Sequence, residues 1–115
     1  MSDCIFCRIA TKEAKATLVE ETPEYVAFED IHPQAPAHTL LIPREHIPTL
    51  NDLRPDQAPL VGRMVLAARE IARRKGIAES GYRLLANCNA HGGQAVYHLH
   101  FHLLGGKPLG AKLCS

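Results

Sequence analysis

Apolar and polar positions alternate most regularly from Tyr97 to Leu104, where His98, His100 and His102 are interleaved with Leu99, Phe101 and Leu103. Successive side chains of a β-strand point to opposite faces, so this spacing predicts a strand with three imidazoles on one face and apolar residues on the other. A helix would scatter the same histidines around its axis. Strands are also predicted over Thr17 to Glu21, Tyr25 to Phe28, His38 to Pro43 and Tyr82 to Asn87. Between the second and third lies Ile31 to Ala37, whose Pro33 and Pro36 exclude a helix or a central strand.

Helical spacing appears twice. Ile5, Phe6 and Ile9 form one apolar face on a short helix from about Cys4 to Ala10, with Asp3 as its cap. Leu60, Val61, Met64, Val65, Ala68, Ile71 and Ala72 form the stripe of a long helix from about Pro55 to Lys75. Pro55 suits its first turn, Arg73 to Lys75 suit the negative end of its dipole, and Gly76 suits the residue beyond it. That basic triplet reads better as helix-end charge on a solvated face than as a nucleic-acid contact. The order is helix, three strands, long helix, two strands. Short turns between strands favour an antiparallel meander with helices packed on it, an α+β class. Only the crossing through the long helix could join strands in parallel.

Composition narrows the class. The chain has 115 residues, 46% of them hydrophobic and 22% charged, with a formal net charge of +1. Residues 1–115 are expected to form a single domain with a modest core. The near-zero charge argues against a protein whose main partner is nucleic acid or an acidic membrane. No apolar run approaches the roughly 18 residues of a membrane span, and no signal-peptide pattern is seen in the opening residues. A cytoplasmic location is therefore expected. There the four cysteines, Cys4, Cys7, Cys88 and Cys114, stay reduced rather than forming two disulfides.

The chemistry concentrates in three places. The histidine segment supports two readings. One imidazole is a nucleophile toward phosphorus, with its second nitrogen held as N–H and a neighbour about 7 Å along the strand reaching the same substrate. Alternatively, the three histidines bind a catalytic zinc, since three histidines and a water make an open site. Gly92-Gly93-Gln94 upstream favours the first, because its backbone N–H groups can approach an anion closely. Asn87 adds a neutral donor near the same mouth. Cys4-x-x-Cys7 supplies half of a tetrahedral metal site, with His46 and His98 as candidates for the other half. The pair also reads as two small buried residues, or less well as a redox couple. Asp30, after a strand, is either a turn-initiating aspartate or a ligand for ribose hydroxyls.

Taken together these segments resemble the histidine-triad (HIT) superfamily of nucleotide hydrolases and transferases, and its Hint branch most. The match runs through Cys4-Ile5-Phe6-Cys7, Phe28-Glu29-Asp30-Ile31, Pro33 to His38, Ile42-Pro43 with His46, Gly81-Tyr82-Arg83, Asn87, Gly92-Gly93-Gln94 and His98 to Leu104. The resemblance implies a five-stranded antiparallel sheet with one long and one short helix, commonly dimeric through the long helix and a strand edge. It implies hydrolysis of purine nucleoside phosphoramidates, with His100 as a nucleophile that becomes nucleotidyl-histidine. His102 would contact phosphate and leaving group, and His98 and His38 would orient His100. Ile5, Phe6, Ile9, Phe28 and Ile31 would wall the base pocket, and Asp30 would hold the ribose. Asn87 and the backbone of Gly93, Gln94 and Ala95 would hold the phosphate. A structural zinc would fall to Cys4, Cys7, His46 and His98, with no catalytic metal.

One departure stands out. Such relatives usually carry serine where this chain has Ala95, so slower phosphoramidate turnover or a different leaving group is expected. A purine-nucleotide-binding module with weak catalysis is therefore a second reading, and a zinc hydrolase using the histidine segment a third. The C-terminal stretch, Gly105 to Ser115, bears on substrate choice in the family.

Overall fold

A computed structural model describes residues 3–111 of the chain. Cys114 and the end of the C-terminal stretch lie outside the described residues. The elements are α1 (Ile5–Ala10), β1 (Leu18–Glu21), β2 (Tyr25–Glu29), β3 (Ala37–Pro43), α2 (Ala58–Arg74), β4 (Tyr82–Leu85) and β5 (Phe101–Gly105). Short 3₁₀ turns at Leu50–Asp52, Pro55–Gln57 and Ala90–Gly92 join them. The α+β class and the five-stranded antiparallel sheet are as the sequence predicts.

The strand order is β1-β2-β3-β5-β4, and every pairing is antiparallel. This corrects the plain meander. β5 enters between β3 and β4, so those two strands, joined through α2, run parallel to one another without touching. The central position of β3 suits its sequence, because all seven residues of Ala37–Pro43 are buried.

Alternation splits the core between the two faces of the sheet. Tyr25, Ala27, Leu41 and Leu103 meet Met64, Ala67, Ala68, Ile71 and Ala72 of α2 on one face. Val26, Phe28, Leu40 and Ile42 meet Phe6, Ile9 and Ala10 of α1 on the other. Cross-strand partners share a face, and the register aligns Leu18 with Phe28, Phe28 with Leu40, and Leu40 with His102. That row places His102 on the α1 face.

Local chemistry shifts several predicted boundaries. The cap of α1 is Cys4 rather than Asp3, since the Cys4 sulfur accepts the Cys7 N–H at 3.4 Å. The turn at Pro55–Gln57 precedes α2 instead of belonging to it, and Pro59 sits in the first turn of the helix proper. β4 ends at Leu85, two residues before Asn87. The histidine strand is shorter than its alternation implies, because β5 begins only at Phe101. His98, Leu99 and His100 lie before the ladder, and the Leu99 N–H bonds the loop carbonyl of Ile47 at 2.6 Å.

Candidate functional site

The α1 face carries a cleft of about 410 Å³, within the range of small-molecule sites. Ile5, Phe6, Ile9, Phe28, Ile31 and Leu40 supply its apolar wall. Asp30, Glu29, His32, Lys15, His100 and His102 supply its polar groups, and Ala16, Ala95 and Val96 complete it. Ile5 and Ile31 are 42% and 82% exposed, so two large apolar side chains stand open to solvent at this cleft.

Two hydrogen-bonding chains set the protonation of the imidazoles. The Nδ1 of His100 lies 2.8 Å from the His98 carbonyl oxygen. A carbonyl only accepts, so Nδ1 carries the hydrogen and the lone pair of neutral His100 resides on Nε2. In the second chain, the backbone N–H of Gln34 donates to His38 Nδ1 at 3.0 Å. The hydrogen of neutral His38 is therefore on Nε2, which faces His102 Nδ1 at 2.9 Å and Asp30 Oδ2 at 3.4 Å. His102 accepts at Nδ1 and so carries its own hydrogen on Nε2.

Burial keeps these rings neutral. It pushes His38 below the ordinary imidazole range against the opposing pull of Asp30 and Glu29. Burial also lowers His100, opposed by its bond to the His98 carbonyl and by Asp30. His102 is pushed down to about 4 by burial, with His100 and His38 adding to the effect and Asp30 opposing it. At neutral pH the two triad rings that line the cleft thus present one lone pair, on His100, beside one N–H donor, on His102. Their ring centroids are 4.9 Å apart.

A second cluster lies behind the cleft. Cys4 Sγ is 3.3 Å and Cys7 Sγ 3.5 Å from His98 Nδ1, and Cys7 Sγ is 3.2 Å from His46 Nδ1. In a tetrahedral zinc site with two sulfur and two nitrogen ligands the S···N edge is about 3.5 Å, so the four residues fit such an ion. The chemistry agrees, because His98 Nε2–H donates to the Pro43 carbonyl at 2.7 Å and leaves the Nδ1 lone pair facing the sulfurs. The three triad imidazoles do not turn their lone pairs to a common point, since His98 Nδ1 faces the cysteines and His100 Nδ1 donates to a carbonyl. Asp30, His38 and His102 also converge. There the His38 nitrogen facing the other two carries a hydrogen, which makes that group a hydrogen-bonded chain and not a chelate.

The cleft lining leaves out Asn87, Gly93 and Gln94. Asn87 Nδ2 donates to the Gly92 carbonyl at 2.6 Å. Gln94 is buried, accepts the Asn89 N–H at 2.9 Å and donates to the carbonyls of Pro48 and Val96 at 2.8 and 3.0 Å. Both amides brace the loop that brings Ala95 and Val96 to the cleft. Conversely, Lys15, Ala16, Glu29, His32, Leu40 and Val96 enter the lining without having been singled out. Apart from Glu29 they carry no motif, and only the pairing of β1 with β2 brings Lys15 and Ala16 alongside.

Comparison with known proteins agrees with this geometry. The family described as "Scavenger mRNA decapping enzyme C-term binding" matches residues 3–112. A solved structure, the HIT family hydrolase from Legionella pneumophila Philadelphia 1, superposes with a TM-score of 0.93 at 47% identity, covering 95% of this chain and 97% of that one. The chain belongs to the histidine-triad family and is a hydrolase of that type. Among its relatives is "Purine nucleoside phosphoramidase" of Escherichia coli (strain K12), 50% identical over 111 residues, which are 96% of this chain and 93% of the relative. "Protein HitA" of Neisseria gonorrhoeae is 47% identical over 105 residues, or 91% of this chain and 97% of that protein.

Proposed function

We propose that this hydrolase cleaves purine nucleoside phosphoramidates in two steps through His100. The observation that carries the reading is the bond from His100 Nδ1–H to the His98 carbonyl, which leaves a neutral Nε2 lone pair on a ring that lines the cleft. Nε2 attacks the α-phosphorus and forms a P–N bond as the bond to the leaving amine breaks. His102 Nε2–H would donate a hydrogen bond to a phosphoryl oxygen as charge builds there, and the departing amine would take its proton from water. Water then attacks the nucleotidyl-histidine, releasing the nucleoside monophosphate and returning the lone pair to His100.

The remaining lining suits the rest of a nucleotide. Ile5, Phe6, Ile9, Phe28 and Ile31 offer apolar contact to both faces of a purine such as that of AMP. Asp30 Oδ1 is engaged by the His32 N–H at 2.8 Å, which leaves Oδ2, beside His38, to accept from a ribose hydroxyl. The phosphate rests against Ala95 and His102, with Asn87, Gly93 and Gln94 acting through the loop that they hold.

Cys4, Cys7, His46 and His98 would hold a structural zinc that ties α1 to the turn after β3 and to the histidine segment. The ion would supply cross-linking and take no part in the chemical steps. A reducing compartment such as the cytoplasm keeps both sulfurs available for it. A homodimer is consistent with Val65 and Leu66 of α2, which are 41% and 53% exposed, and with the outer edge of β4. The activity is tested by incubation with adenosine phosphoramidate while AMP release is followed. Release by the parent and its loss in His100→Ala support the reading, and equal rates in the two proteins overturn it.

A further inference from the structure

We infer that Lys15 selects the base, favouring purines with an oxygen at position 6 over adenine; the inference rests on the nucleotide reading of the cleft. The row Leu18, Phe28, Leu40, His102 crosses the sheet from the edge strand to β5. Three strand spacings separate its ends, about 14 Å. The reacting end of the cleft is at His100 and His102, where the ribose group Asp30 also comes within 4.8 Å of His102. The segment before β1 therefore borders the end farthest from the phosphorus, where the base must lie.

Local structure holds Lys15 there. Helix α1 ends in a turn in which the N–H groups of Glu13 and Ala14 both reach the Arg8 carbonyl, at 2.7 and 3.1 Å. Lys12 takes the left-handed conformation, with φ of 65°, and pairs with Glu21 at 3.1 Å. Ala14 and Ala16 pack against the cluster of Phe6, Ile9 and Phe28. The residue between them lines the cleft, yet among the described residues Lys15 makes no hydrogen bond or ion pair. The carboxylate of Glu29 in the same lining is taken by Lys75, at 2.6 and 2.7 Å, and by Thr39.

An ammonium is a donor only. Position 6 is the end of a purine opposite its glycosidic nitrogen. Guanine and hypoxanthine present two acceptors there, O6 and N7, whereas adenine presents N7 beside an N6 donor that an ammonium cannot satisfy. A site built to donate rejects the analogue that cannot accept.

The test measures binding of GMP, IMP and AMP by calorimetry to the full chain and to Lys15→Met and Lys15→Glu, with thermal melts as the check on folding. The parent should bind GMP and IMP about ten-fold more tightly than AMP. Lys15→Met should bring the three together, and Lys15→Glu should reverse the order. Equal affinities in the parent, or a preference that persists in Lys15→Met, overturn the inference and leave the phosphoramidase reading intact. If the preference and its loss appear but guanosine phosphoramidate is not hydrolysed, Lys15 keeps its role and the activity reading fails. A parent that binds none of the three nucleotides overturns both.

Discussion

His38 Nε2 lies 2.9 Å from His102 Nδ1, and the direction of that bond is set by a backbone group. The Gln34 N–H occupies His38 Nδ1, so His38 donates to His102, and His102 in turn presents its Nε2–H to the cleft. Replacing His38 by alanine frees His102 to adopt either tautomer. The expected outcome is a fall in kcat of about 100-fold, the low end for losing one oriented donor to transition-state charge, with little change in KM. His38→Gln, whose amide can donate along the same line, should recover part of it. Steady-state kinetics on both variants check this.

Acid should destabilise the fold. His102 is held at about 4 when folded, against about 6.5 when unfolded. Between those values the unfolded chain binds the extra proton, so stability is full above pH 6.5 and is lost as pH falls through the window. With His102 only partly buried the loss at pH 5 is on the order of 1 kcal/mol. Thermal melts from pH 8 to pH 4 should show Tm falling over this range, and more gently in His102→Asn.

Metal removal should act on stability more than on chemistry. Cys7 reaches both His46 and His98, so Cys7→Ser or a strong chelator should remove one zinc per chain and lower Tm. The protein that stays folded should keep its turnover within a few-fold, because none of the proposed steps runs through the ion. Metal analysis by mass spectrometry, with melts and assays on the same samples, separates the two effects.

Much of the fold was legible because burial followed local periodicity. The α1 face of Ile5, Phe6 and Ile9 appears at the cleft, and Met64, Ala68, Ile71 and Ala72 of the α2 stripe appear in the core. Val65 of that stripe is exposed and Ala67 is buried instead, because the contact with the sheet runs one position off the predicted stripe. The histidine segment was legible in phase but not in extent. Alternation survives through His98 and His100, while the ladder does not, because Leu99 bonds Ile47 outside the sheet. Sequence could not reveal that Gln94 would spend its amide on Asn89, Pro48 and Val96, since Pro48 lies 46 residues away in another turn. Nor could it place Lys15, whose position depends on the pairing of β1 with β2.

Ala95 lines the cleft beside His100 and His102. Restoring a hydroxyl there adds one donor to the phosphate or leaving group. Ala95→Ser should raise kcat on a phosphoramidate by about five-fold, the equivalent of one modest hydrogen bond. Unchanged affinity for AMP would show that the gain belongs to the chemical step.

The Nε2 lone pair of His100 is the proposed nucleophile. The most direct measurement is intact-protein mass spectrometry milliseconds after mixing with adenosine phosphoramidate, followed by peptide mapping of the quenched sample. The predicted result is a transient adduct of one adenylyl group on the peptide that contains His100, absent from His100→Ala. Turnover with no adduct at any time, or an adduct carried by another residue while His100→Ala remains active, would contradict it.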